Sequence, residues 1–154
     1  MATRRTLKAV AHDVSESLVS RNDDLGGYWA MGQLLSHALK TGSTRYTIDL
    51  ACAESTPKLA ASALSSIPAT WADTFWKNLE HQKLSRALVA RATATLTFDL
   101  TQSQPSPHHE ALEEHAFSCT VEIQDDRGST YASTTQGWCF SHNPRVELRS
   151  TRGA

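Results

Sequence analysis

The sequence predicts an α+β domain, in which three or four helices pack on one face of a mostly antiparallel sheet of about five strands. Three runs of residues carry that prediction. From Arg91 to Thr101, Leu96, Phe98 and Leu100 share one parity while Thr95, Thr97, Asp99 and Thr101 share the other. From Arg45 to Cys52, Tyr46, Ile48, Leu50 and Cys52 alternate with Arg45, Thr47, Asp49 and Ala51. From Phe117 to Gln124, Phe117, Cys119, Val121 and Ile123 alternate with Ser118, Thr120, Glu122 and Gln124. Period-2 alternation of this kind marks a strand dry on one side and wet on the other, and half-wet strands belong to an antiparallel sheet covered on one face.

The elements follow in order. Leu7, Val10, Ala11, Val14 and Leu18 recur at helical spacing and put an apolar stripe on a first helix of about four turns. Asn22, Asp23 and Asp24 break it, and one of the acids can cap a second helix that carries Leu25, Tyr28, Trp29, Leu34, Leu35, Ala38 and Leu39 and stops near Gly42. The first strand comes next. Ser55-Thr56-Pro57 is a helix start, because a hydroxyl cap followed by proline satisfies orphan amides without losing a bond. Pro68 interrupts or restarts this helix, and Thr70 can cap a further segment with Trp71, Phe75 and Leu79 on one face.

Gln102 to His109, with Pro105, Pro107 and no large apolar residue, reads as a mobile connection between the second and third strands. Asp125-Asp126-Arg127-Gly128 reads as a hairpin turn in which Gly128 supplies a positive φ. A last short strand would carry Val146 and Leu148. The order of helix, helix, strand, broken helix and four strands is loosely similar to the cone-shaped folds typified by nuclear transport factor 2. That likeness is one of element order alone and implies a fold without an activity.

A chain of 154 residues fits one domain, residues 1–154, with a core that needs no staples. Forty per cent hydrophobic residues and a net charge of −1 are ordinary globular values, too neutral for a dedicated nucleic-acid binder. Basic residues do cluster toward the two ends, with Arg4, Arg5 and Lys8 at one and Arg145, Arg149 and Arg152 at the other, and solvated ends explain them. Cys52, Cys119 and Cys139 are widely spaced and contain no CxxC pair, so reduced, buried thiols are expected. After Arg4-Arg5 come Lys8, His12, Asp13 and Glu16 where a secretory or twin-arginine signal would be apolar. No run reaches the ~18 apolar residues of a membrane span. A soluble cytoplasmic protein is the expectation.

Metal, cofactor and catalytic sites each need their residues at a particular spacing. Zinc proteases place two imidazoles one helical turn apart with a glutamate as base. Here Glu113 stands where the histidine after His109-Glu110 should be, and Ala111 stands where the reversed motif needs one. A looser set of His109, Glu113 and His115, with Cys119 or His142 as a remote ligand, is outweighed by a solvated, histidine-rich loop. His12-Asp13 reads as a helix surface, and the acids before Gly26-Gly27 lack a terminal calcium ligand, since Gln33 occupies that place. Neither a metal nor a cofactor is therefore expected.

For nucleophilic catalysis, Cys52 lies on the apolar parity of its strand, and Cys139 with His142 can cooperate only if the strand ends between them. There is no Walker loop, no GxGxxG and no GxSxG. The catalytic residues are accordingly unknown.

Trp138 and Phe140 carry the functional expectation. If Asp126 to Gly128 form a three-residue loop, Ile123 lies across from Tyr131, Val121 from Ser133 and Cys119 from Thr135. Trp138 and Phe140 then emerge on the wet face. Either a bulge at Gly137 turns them inward, or they form an outward apolar patch at an oligomer or partner interface. The leading expectation is a non-catalytic binding or assembly protein using its sheet face, as a homo-oligomer or with a protein partner. The alternative is a small enzyme or small-molecule binder with a pocket between the sheet and the N-terminal helices.

Overall fold

A computed structural model of the chain describes residues 2–19, 27–51, 67–105 and 112–142. Helices α1 (Ala2–Val19) and α2 (Gly27–Thr41) precede strand β1 (Arg45–Asp49), and helix α3 (Ile67–His81) with a single 3₁₀ turn (Arg86–Leu88) leads into β2 (Val89–Pro105), β3 (Leu112–Asp125) and β4 (Thr130–His142). The four strands form one antiparallel sheet in the order β1-β2-β3-β4. The α+β architecture is the one expected. The fifth strand, over Val146 and Leu148, and the helix start at Ser55 to Pro57 lie outside the described residues.

The predicted alternation sorts the sheet into a dry and a wet face. Tyr46 and Ile48 of β1, Leu96 and Phe98 of β2, and Val121 and Ile123 of β3 are all buried in one core. Leu50, just past β1, joins them, because β1 ends earlier than expected, at Asp49, whose carboxylate accepts the Ala51 N–H at 2.9 Å and turns the chain. Leu100 is only partly buried. The β2–β3 register slips between Asp99 and Ser103, leaving three β2 residues without partners on β3, so the alternation that predicts Leu100 as core breaks there. Past that bulge β2 pairs again as far as Pro105, so the expected connection at 102–109 begins as strand.

All five residues of the predicted stripe on α1 are buried. Helix α1 lies across β3 and β4, and its Ser15 Oγ is 2.8 Å from Thr135 Oγ1 of β4. The inner positions of β4 under the helix are small: Ser133, Thr135 and Gly137. A Cβ on Gly137 would come within 3.0 Å of Val19 Cγ1 and 3.2 Å of Phe117 Cε1, so glycine is what lets the end of α1 approach the sheet. Helix α2 ends at Gly42, whose φ of 77° and N–H bond to Ala38 O make a left-handed cap. Pro68 falls in the first turn of α3, where its missing N–H costs nothing, and Trp71, Phe75 and Leu79 are fully buried on one face of that helix. Thr70 is inside the helix, not its cap.

The β3–β4 turn is fixed by one side chain. Asp125 Oδ1 accepts the N–H groups of Arg127 at 3.0 Å and Ser129 at 2.8 Å, and Oδ2 accepts the Tyr131 hydroxyl at 3.1 Å. Gly128, at φ 87°, donates its N–H to Asp125 O, and Asp125 N–H bonds Ser129 O. The resulting register sets Ile123 against Tyr131, Val121 against Ser133 and Cys119 against Thr135, and runs unbroken to His142. Partial burial pushes the Asp125 carboxyl up. The Ser129 N–H, the Tyr131 hydroxyl, the Arg127 N–H and the Arg127 charge outweigh that and hold it below the usual value.

Phe98 is 2% exposed, with the Tyr46 ring edge-on at 5.9 Å and Phe117 at 6.1 Å. Phe98→Ala is expected to cost about 3–5 kcal/mol in urea melts, through lost transfer energy plus an unfilled cavity. A loss under about 1 kcal/mol would contradict this assignment of faces.

Candidate functional site

The wet face is best described as rows that cross the strands. One row runs Arg45, Thr97, Ser118, Gln136; the next Thr47, Thr95, Thr120, Thr134; the next Asp49, Thr93, Glu122, Ala132. Outside these lie Asp99, Ala116, Trp138 on one side and Arg91, Gln124, Thr130 on the other. Short hydroxyl side chains dominate the middle, which keeps the surface low. Thr120 and Thr134 hydroxyls bond each other at 2.8 Å.

Trp138 stands at the end of this face beside an open depression of about 450 Å³, bordered by Thr97, Asp99, Ala116, Ser118 and Gln136. Ala116 lies between Trp138 and Asp99, so a gap separates the indole from the carboxylate. Trp138 is 43% exposed and, with Leu39 of α2, is one of two large exposed hydrophobic residues among the described ones. Other tryptophans are used differently. Trp71 is fully buried, and Trp76 is covered by the Arg86 guanidinium 4.4 Å above its ring.

The unbroken β3–β4 register places Trp138 and Phe140 on the wet face and leaves no bulge at Gly137 to turn them inward. Phe140 lies across from Glu114 and is partly buried. Glu114 itself is 7% exposed and accepts the Gln104 amide at 3.0 Å. This end of the face is therefore more enclosed than its centre.

The inner face holds the remaining chemically capable groups. Cys119 and Cys139 are buried, and burial pushes both thiols up to about 12, so neither supplies a thiolate near neutral pH. Strand β4 continues through His142, so positions 139 and 142 fall on opposite faces. His115 is 3% exposed, lies across from Cys139 and shares a 2.8 Å hydrogen bond between Nε2 and Ser141 Oγ. Its Nδ1 is buried without a partner, so the Ser141–His115 pair lacks the third group that would hold the imidazole for general-base work. Burial lowers the His115 pKa, and the nearby Glu113 charge offsets this only in part.

His109 and Cys52 lie outside the described residues, and among those described no group of three or more histidine, cysteine, aspartate or glutamate side chains gathers as metal ligands. His12 is exposed on α1, 3.4 Å from Glu16, as a helix-surface residue. No helix among the described residues is long and apolar enough to cross a membrane. No family model, curated protein or solved structure matches the chain.

Sequence reasoning missed Asp99, Gln136 and the depression between them. The rows would have shown them, since once the turn fixes Asp125 against Ser129, counting back along both strands puts Ser118 across from Gln136.

Two expectations follow. Burial makes His115 bind a proton less readily in the folded protein than in the unfolded chain, where its pKa is near 6.5. Its contribution to stability is complete above that pH and is lost as pH falls through the lower folded value. Urea melts should show that loss on acidification from pH ~7 to ~5, and His115→Phe should flatten it. Melting in a chelator should leave the midpoint unchanged. A drop of several degrees restored by zinc would instead make His109, Glu113 and His115 ligands.

Proposed function

We propose that this chain is a soluble, cytoplasmic, non-catalytic binding or assembly protein whose exposed sheet face, with Trp138 and Phe140 at one end, docks a protein surface. The observation that carries the reading is the half-exposed Trp138 on a face otherwise built of short hydroxyl side chains. An indole left in water forgoes a large part of the roughly 1.5–3 kcal/mol that burying a side chain of its size provides. The threonines beside it are inexpensive to desolvate when another surface supplies hydrogen bonds.

The dimensions also suit a partner. Three long strands about 4.8 Å apart and some 13 residues long, with the short β1 beside them, present about 700 Å². A standard interface takes roughly 800 Å² from each partner. The inner face offers no comparable surface, because the helices fill it with side chains that are almost all fully buried.

Trp138→Ala is the test. The variant should stay folded, since the indole is outside the core, and should weaken self-association by roughly tenfold or more, as truncating an aromatic that packs into a partner does. Sedimentation velocity against the 16.9 kDa monomer reads this directly. Unfolding of the variant, or a wild type that stays monomeric at high concentration, would remove the support for this reading.

A further inference from the structure

We propose that the occupant of the exposed face is a second copy of this chain, stacked about a two-fold axis along the row Thr47, Thr95, Thr120, Thr134, so that Arg45 meets Asp49 and Arg91 meets Asp99 of the other copy. The proposal rests on reading the face as a docking surface, and it goes further by fixing the occupant and the symmetry.

Charge and register on the face are self-complementary about that row. On β1, Arg45 and Asp49 stand two residues to either side of Thr47; on β2, Asp99 and Arg91 stand four residues to either side of Thr95. An in-plane two-fold axis perpendicular to the strands lays each strand antiparallel over its own copy. Positions equally far from the threonine row on the same strand then face each other. Arg45 falls on Asp49, Arg91 on Asp99, and each pair occurs twice. Glu122, the exposed acid at the centre of the face, falls on Ser118. Trp138 falls on Thr130 and is flanked by Ala132, two small side chains with room for an indole.

These pairings cannot be made within one chain. Arg45 and Asp49 are four residues apart on an extended strand, about 13 Å, and Arg91 and Asp99 about twice that. Among the described residues Arg45 and Arg91 join no ion pair, the pairs present being His12–Glu16 and Lys77–Asp73, both on helices. Asp49 accepts the Ala51 N–H, and Asp99 accepts the Thr101 N–H and hydroxyl among its partners.

The row on the axis suits self-pairing, since a hydroxyl both donates and accepts and can face its own copy without mismatch. Stacked sheets cross at about 30°, an offset the long arginine side chains can span. An in-plane axis along β3 would instead set Glu122 over itself and Asp99 against Trp138. Like charges opposed in an interface select against that arrangement.

The test uses Arg45→Asp and Asp49→Arg, purified separately and checked for folding by circular dichroism. In either homodimer the paired positions carry like charge, so the dissociation constant should rise about tenfold or more. Mixed in equal amounts, the two variants oppose acid to base at every such position and should form a heterodimer close to wild-type affinity, seen by sedimentation with one component labelled. Variants that each self-associate like the wild type, or a mixture that stays monomeric, overturn the proposal.

If Trp138→Ala weakens the dimer while neither charge variant does, the face is the docking surface and the axis is wrong. A wild type that stays monomeric removes both readings. Should Asp49→Arg fail to fold, salt carries the test. The wild-type dissociation constant should rise about tenfold or more between low salt and about 0.5 M, and an Arg45→Ala, Arg91→Ala double variant should flatten that rise. A salt-independent constant overturns the proposal.

Discussion

The carboxylate of Asp125 decides which way every residue of β4 faces. It holds the N–H groups of Arg127 and Ser129 and the hydroxyl of Tyr131, three donors spread over five residues, so the loop has one length and one exit direction. Side chains alternate with period two. A slip of one residue would therefore exchange Trp138 with Cys139 across the whole sheet and drive an indole under α1, where even a methyl group on Gly137 would crowd Val19. Hairpin register and helix docking thus enforce each other.

That mutual constraint explains why the inner side of β4 is not apolar in the usual sense. Ser133, Thr135 and Gly137 lie beneath α1, and the helix supplies the oil from its own stripe of Leu7, Val10, Ala11, Val14 and Leu18. Small residues on the sheet let the helix come close, and hydroxyl pairs such as Ser15 with Thr135 satisfy the polar atoms that close packing buries. On β1 and β2 the division of labour is reversed, with large rings and branched chains on the sheet. Tyr46, Ile48, Leu96 and Phe98 fill the space there.

The same division sets what the sequence could disclose. Alternation was legible on β1, β2 and β3, where the sheet supplies the apolar side chains. On β4 the larger apolar residues, Trp138 and Phe140, are on the wet face, and hydropathy alone points the wrong way. Only the turn chemistry of Asp125 to Gly128 recovers the true parity. The slip in β2 after Asp99 had no local mark, since nothing in Leu100-Thr101-Gln102 is a glycine or a proline, and so Leu100 was expected deeper than it lies. His115 looked like part of a solvated, histidine-rich loop because its burial comes from pairing with Ser103 on β2 and Cys139 on β4, neither of them local in sequence. Asp99 and Gln136 belong to the candidate site through cross-strand rows, which exist only once a register is assigned.

The contact between α1 and β4 joins the first described element to the last, with Ser15 and Thr135 120 positions apart. On the ribosome α1 is made well before β4, the strand it lies across. Until then its apolar stripe is covered only in part, by α2, α3 and β3, and closure of the fold waits on the β3–β4 hairpin. A chain cut before β4 would leave the α1 stripe without the strand it lies across.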